Sequence, residues 1–147
     1  MLRCLKCKKY AYKTHKCSVL SLVPVTHECR IIADMLFDLG VEPLSAAHFV
    51  TPVTDSVYKY YIHICIELRR DYPTNILGDL PTGWIHYTQT VSEDHIPLQV
   101  IGYSETFAFD GVLTVEGRVQ EIVSTFEDYL GTFDPQSFKS VLTLMGI

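Results

Sequence analysis

The sequence predicts an α+β fold, an antiparallel sheet of three to five strands with helices packed on one face, plus an N-terminal zinc-knuckle-like segment. Three observations predict it. Residues Tyr61–Leu68 alternate strictly between aliphatic and other side chains, segments on both sides of that run carry apolar residues at helical spacing, and three of the five cysteines fall within the first 17 residues. At 147 residues the chain is long enough to bury a core in one domain.

The alternating run is the spine. Ile62, Ile64, Ile66 and Leu68 share one face, and Tyr61, His63, Cys65 and Glu67 share the other. Side chains of a strand point alternately to opposite faces, so this pattern predicts a strand with one aliphatic face. Before it, residues 26–40 read as a helix. Thr26 is a candidate cap and Gly40 a left-handed stop, while Ile32, Met35, Leu36 and Leu39 form a stripe with Asp34 and Asp38 facing away. Between Pro43 and Pro52 the best piece is Ala47–Val50, a first or edge strand.

After the spine, residues 71–83 are dense in turn formers, with one helical turn expected around Asn75–Gly78. A strand follows at 84–89, placing Trp84, His86 and Thr88 on one face and Ile85 and Tyr87 on the other. Residues 92–97 read as a polar loop and 98–103 as a further strand, with Gly102 marking a bulge or a close backbone approach. Asp110-Gly111 between apolar runs predicts a hairpin; the competing reading is a loop leading into a helix. From Gly117 a helix carries Val119, Ile122, Val123, Phe126, Tyr129 and Leu130, with Gly131 as its stop. Asp134-Pro135 opens a last helix bearing Phe138, Val141, Leu142 and Met145.

Charge divides the chain into two parts. Residues 1–17 hold six of the 12 Lys and Arg and none of the 17 acids, a formal +6; the remainder is −11, and together they make the net −5. This supports a basic, Cys-rich segment at 1–20 followed by a single acidic α+β domain at 21–147. No apolar run approaches the roughly 18–20 residues that span a bilayer, so no membrane partner is expected. The charged start has no apolar stretch behind it, unlike a secretory signal. Clustered cysteines without such a signal favour metal ligands over disulfides and a reducing, cytoplasmic setting.

Cys4-x-x-Cys7 places two thiolates on one tight turn, at the roughly 2.3 Å that tetrahedral zinc requires. Neighbouring lysines favour the thiolate form. His15 and Cys17, across a short hairpin, complete four ligands for structural Zn2+, with His27 and Cys29 as the alternate pair. Zinc would also order a stretch poor in apolar residues, because metal binding supplies folding free energy. The segment resembles generic zinc-ribbon and treble-clef knuckles over the head alone, which names no family.

No Gly-rich phosphate loop, His-Glu-x-x-His or Gly-x-Ser-x-Gly occurs. Cys65 with His63 or His86 would be a thiolate–imidazole pair, but cysteine is also a common buried small hydrophobe. The expected function is therefore a non-catalytic binding or regulatory protein. Its basic knuckle, with Lys8, Lys9 and Lys13, would touch nucleic acid or an acidic surface, and its acidic body a protein partner. The alternative is a small-molecule or nucleotide binder, as a homo-oligomer, using Tyr61, His63, Glu67, Trp84 and His86 on the sheet. A Cys-dependent enzyme is a third, weaker reading.

Overall fold

A computed structural model of the chain describes residues 1–12, 15, 17, 22–90 and 97–147. Strands β1 (Leu2–Cys4), β2 (Tyr10–Ala11) and β3 (Leu22–Pro24) form a small antiparallel sheet in the order β2-β1-β3. A 3-10 turn at His27–Cys29 leads into α1 (Arg30–Leu39). Four longer strands follow, β4 (Pro43–Pro52), β5 (Lys59–Leu68), β6 (Trp84–Thr90) and β7 (Pro97–Ala108), and then α2 (Val115–Leu130) and α3 (Pro135–Leu144). The second sheet is antiparallel throughout, in the order β4-β5-β7-β6. The architecture is α+β, as expected, and among the described residues no helix is long and apolar enough to cross a membrane.

The spine lies inside the sheet as β5, between β4 and β7. Ile62, Ile64, Ile66 and Leu68 are all buried. They join one core with Ile32, Leu36 and Leu39 of α1 and Val119, Ile122, Val123 and Phe126 of α2. Trp84 extends this layer from β6, stacking on Phe126 with ring centroids 4.1 Å apart. Residues opposite the aliphatic face remain at least partly exposed: Tyr61, His63, Cys65 and Glu67.

Several local expectations change. Thr26 caps nothing through its side chain; its hydroxyl accepts instead from the His48 backbone N–H of β4, at 3.1 Å. Helix α1 still ends at Gly40 in the left-handed conformation, φ 87°. The expected Ala47–Val50 strand runs the full ten residues from Pro43 to Pro52, the prolines sitting at its ends, where a sheet edge tolerates them. The helical turn expected around Asn75–Gly78 is an ordinary turn. The Asp110-Gly111 hairpin does not form. Thr106–Ala108 instead continue β7, held to β5 down to the Lys59–Ala108 pair, and Thr114 caps α2 by accepting from Gly117 N–H at 3.0 Å. The register passes Gly102 without a shift, so no bulge lies there. Gly131 ends α2 in the right-handed region; on α3 Leu142 is buried while Val141, and Met145 just past the helix, stay half-exposed. Asp134 caps α3 as expected. The expected loop at 92–97 and the boundary after residue 20 fall mostly outside the described residues.

A polar plug holds the 71–83 segment to the sheet. Gln99 is buried, and its carbonyl oxygen accepts from Tyr72 N–H while its amide donates to the Asp71 carboxylate and the Tyr72 carbonyl. His86 Nε2 lies 3.0 Å from the same Gln99 oxygen, which makes that nitrogen the protonated one, and Nδ1 is buried without a partner. Burial pushes the His86 pKa below its usual 6.5.

Two outcomes follow. Ile64→Ala should cost about 2–5 kcal/mol by urea denaturation, because the cavity lies where both helices meet the sheet. Since the folded state disfavours the imidazolium, the unfolded chain binds this proton first. The stability that His86 contributes should be complete above pH 6.5. Below that it should fall, by up to about 1.4 kcal/mol per pH unit, until the lowered folded pKa is passed. Urea midpoints at about pH 7.5 and about pH 5.5 should differ less in His86→Gln than in the natural chain.

Candidate metal centre

The chain leaves β1 at Cys4 and turns back within four residues. Lys8 N–H donates to the Cys4 carbonyl at 2.8 Å, and Cys4 N–H to the Lys9 carbonyl at 2.9 Å. Closing so tight a turn puts Lys8 in the left-handed region, φ 59°, at a cost of about 1–2 kcal/mol for a residue with a Cβ. The turn then feeds β2, whose Tyr10 and Ala11 pair with Arg3 and Leu2.

This path converges four ligands. One ligand atom from each of Cys4, Cys7, His15 and Cys17 lies within 4.8 Å of all the others. The Cys7 and Cys17 sulfurs are 3.4 Å apart, and His15 Nε2 is 3.2 Å from the Cys7 sulfur. Metal–sulfur bonds of about 2.3 Å in a tetrahedron set sulfurs about 3.8 Å apart, so the cluster is near closed coordination. Cys4 is buried, whereas Cys7 is exposed. The group could hold a metal ion.

Electrostatics of the thiols point the same way. The Cys7 backbone N–H, 3.4 Å from the Cys4 sulfur, leads the effects that pull the Cys4 pKa down to about 7. Cys17 is pushed up to about 11, first by its contact with the Cys7 sulfur and then by Cys4. One thiolate is favoured and a further one is resisted; a cation relieves that conflict.

The alternate pair is not drawn in. Cys29 is fully buried beside Thr26, and burial raises its pKa to about 11, while His27 is exposed on the 3-10 turn. Lys8 and Lys9 are exposed beside the centre; Lys13 lies outside the described residues.

On the sheet, the candidate residues separate. Tyr61, His63 and Glu67 share the face away from the helices. Trp84 and His86 lie on the covered face, since they pair in register with Tyr103 and Ile101 of the core side. His63 Nδ1 is 3.0 Å from Ser104 Oγ, and among the described residues no histidine bonds Cys65, whose pKa is raised by burial and by Glu67. The open face carries Phe49, Tyr61, Ile85 and Tyr87 well exposed. The Tyr87 ring lies across Gly102, where an added Cβ would sit 3.5 Å from its Cε1.

Arg3 is the residue that sequence reading passed over. Its Nε donates to the Asp34 carboxylate at 2.7 Å and its guanidinium stacks 4.1 Å above the Phe37 ring, both on α1. The Tyr10 hydroxyl lies 2.9 Å from both the Asp34 carboxylate and the Arg30 carbonyl, with one proton shared between the two acceptors. A cation next to two cysteines reads as part of a basic surface; only α1 reveals its partner.

No protein-family model matches the chain, and no curated protein or solved structure shows significant similarity to it. The chemistry of the site therefore rests on its own geometry.

Purified protein should carry about one metal equivalent per chain, and Cys7→Ser or Cys17→Ser should lose most of it, while Cys29→Ser should retain it, as measured by elemental analysis after gel filtration.

Proposed function

We propose that the chain is a non-catalytic binding or regulatory protein whose basic zinc knuckle grips the phosphates of nucleic acid while its acidic α+β body engages a protein. The observation that carries this reading is the four-ligand turn with Lys8 and Lys9 exposed beside it. Three thiols and one imidazole suit zinc, which favours closed tetrahedral sulfur and nitrogen sets in structural sites. With four protein ligands the ion would have no open position for substrate, so its role would be to hold the turn. The concentration of six cations in residues 1–17 supplies the electrostatic term of nucleic-acid binding, which needs no base readout. Free cysteines in a chelating cluster fit a reducing compartment such as the cytoplasm.

A second reading draws on the open sheet face. His63, Cys65, Ile85, Tyr87, Gly102 and Ser104 border a shallow depression of about 300 Å³ there. It offers aromatic walls and a hydroxyl–imidazole pair to a small molecule or nucleotide, or a contact surface to a second copy.

A fluorescent single-stranded oligonucleotide should bind the metal-loaded protein at low salt, with log affinity falling against log salt by about 0.7 per phosphate neutralised. The triple variant Lys8→Gln, Lys9→Gln, Lys13→Gln should abolish binding without changing metal content. Equal affinity at low and high salt would count against the knuckle reading, and a rise in melting temperature with nucleotides alone would favour the sheet face.

A further inference from the structure

Where the head meets the body, a cleft of about 300 Å³ opens between the metal turn, the end of α1, the end of β5 and α3. Four cations reach it, Arg3, Lys8, Arg69 and Lys139, against two acids, Asp38 and Glu42. One of those acids is already engaged: the Arg70 fork holds both Glu42 carboxylate oxygens, at 3.2 and 3.4 Å. The head contributes Arg3 and Lys8, and the body, whose formal charge is −11, sets two cations against two acids here instead of an acidic excess.

Arg3 makes the cleft more than a patch. Its side chain is only 5% exposed, clamped by Asp34 at Nε and by the Phe37 ring below. Neither of its Nη groups has a hydrogen-bond acceptor among the described residues. Among the described residues the only buried side-chain nitrogen or oxygen without a partner is His86 Nδ1, on the sheet, so the Arg3 amino groups are not fully cut off from solvent, and Arg3 lines the cleft. A guanidinium fixed on one edge and free on the other is a preorganised fork for a planar or tetrahedral oxyanion. Exposed Lys8, Arg69 and Lys139 can close around the oxygens that remain.

We propose that this cleft binds a phosphate group, with Arg3 as its buried fork and Lys8, Arg69 and Lys139 as its outer cations. The proposal deepens the nucleic-acid reading, on which it rests for the phosphodiester as natural ligand, and brings body residues Arg69 and Lys139 into the interface. The same chemistry would accept free phosphate or a mononucleotide, so the test separates these sources.

The test uses the full metal-loaded chain, the double variant Arg69→Gln, Lys139→Gln, and Lys59→Gln, which alters an exposed lysine outside both the cleft and the knuckle. All the altered residues are exposed, so the fold is not at risk. Inorganic phosphate and a single-stranded oligonucleotide are titrated separately at constant ionic strength, reading backbone amide shifts of Leu5, Lys8 and Phe37. Saturable shifts with both ligands, each weakened about tenfold in the double variant, would support the proposal with a phosphodiester source. Lys59→Gln should leave the phosphate titration unchanged. Phosphate binding that the double variant weakens, with no oligonucleotide binding, would keep the cleft and remove the nucleic-acid reading. Oligonucleotide binding indifferent to the double variant, with no saturation by phosphate, would overturn the cleft and leave the knuckle reading standing. Silence with both ligands would overturn both.

Discussion

The structure depends on one constraint, that β5 is aliphatic on a single face. Burying Ile62, Ile64, Ile66 and Leu68 requires a covering layer, and α1 and α2 supply it. The neighbouring strands must then match: Ala46, Ile101 and Trp84 fall on the same side, because antiparallel register aligns residues directly opposite one another. The other face follows from the same rule. It is left with mixed side chains that no helix covers, and there Phe49, Ile85 and Tyr87 meet solvent. A one-residue slip of β5 would exchange these two faces, which is why the sheet has one register.

Arg3 performs the corresponding task for the head. The small sheet joins the core through Val23, with Leu5 and Tyr10 packed against it, and a polar link adds to that apolar contact. Arg3 supplies it through Asp34 and Phe37, with Tyr10 bonded to the same carboxylate. The pair joins a basic segment to an acidic one through an acid on a helix that is packed into the core. The guanidinium is nearly dry whereas the Asp34 carboxylate is partly exposed, so removing Asp34 would strand the Arg3 charge rather than merely lose a surface contact. A turn held in this way keeps Lys8 and Lys9 at a set position relative to Arg69 and Lys139 instead of on a tether.

Much of this was legible in the chain. The spine, the stripes of α1 and α2, the Asp134-Pro135 start of α3 and the Gly40 stop are local patterns, each with a local cause, and each appears where the pattern places it. The convergence of Cys4, Cys7, His15 and Cys17 was legible too, because Cys-x-x-Cys and a nearby His-x-Cys constrain short loops. Illegible were the features decided by partners far away in sequence. Thr26 looked like a cap and became a β4 contact; Asp110-Gly111 looked like a hairpin, but pairing with β5 carried β7 through Ala108. Asp34 looked like a solvated acid on the far face of α1, and it anchors the head.

By itself, then, the sequence determined the fold class, the aliphatic face of the sheet and the grouping of ligands, because periodicity and short spacings act within a few residues. Tertiary structure alone decided which of the remaining sheet residues face solvent, that Trp84 stacks under α2 and His86 turns to Gln99, and that Arg3 turns from surface charge to a buried ion pair with Asp34. Those outcomes depend on pairing between residues far apart in sequence, as in Trp84 with Tyr103 and Arg3 with Asp34. Local propensity carries no information about which distant group will lie opposite.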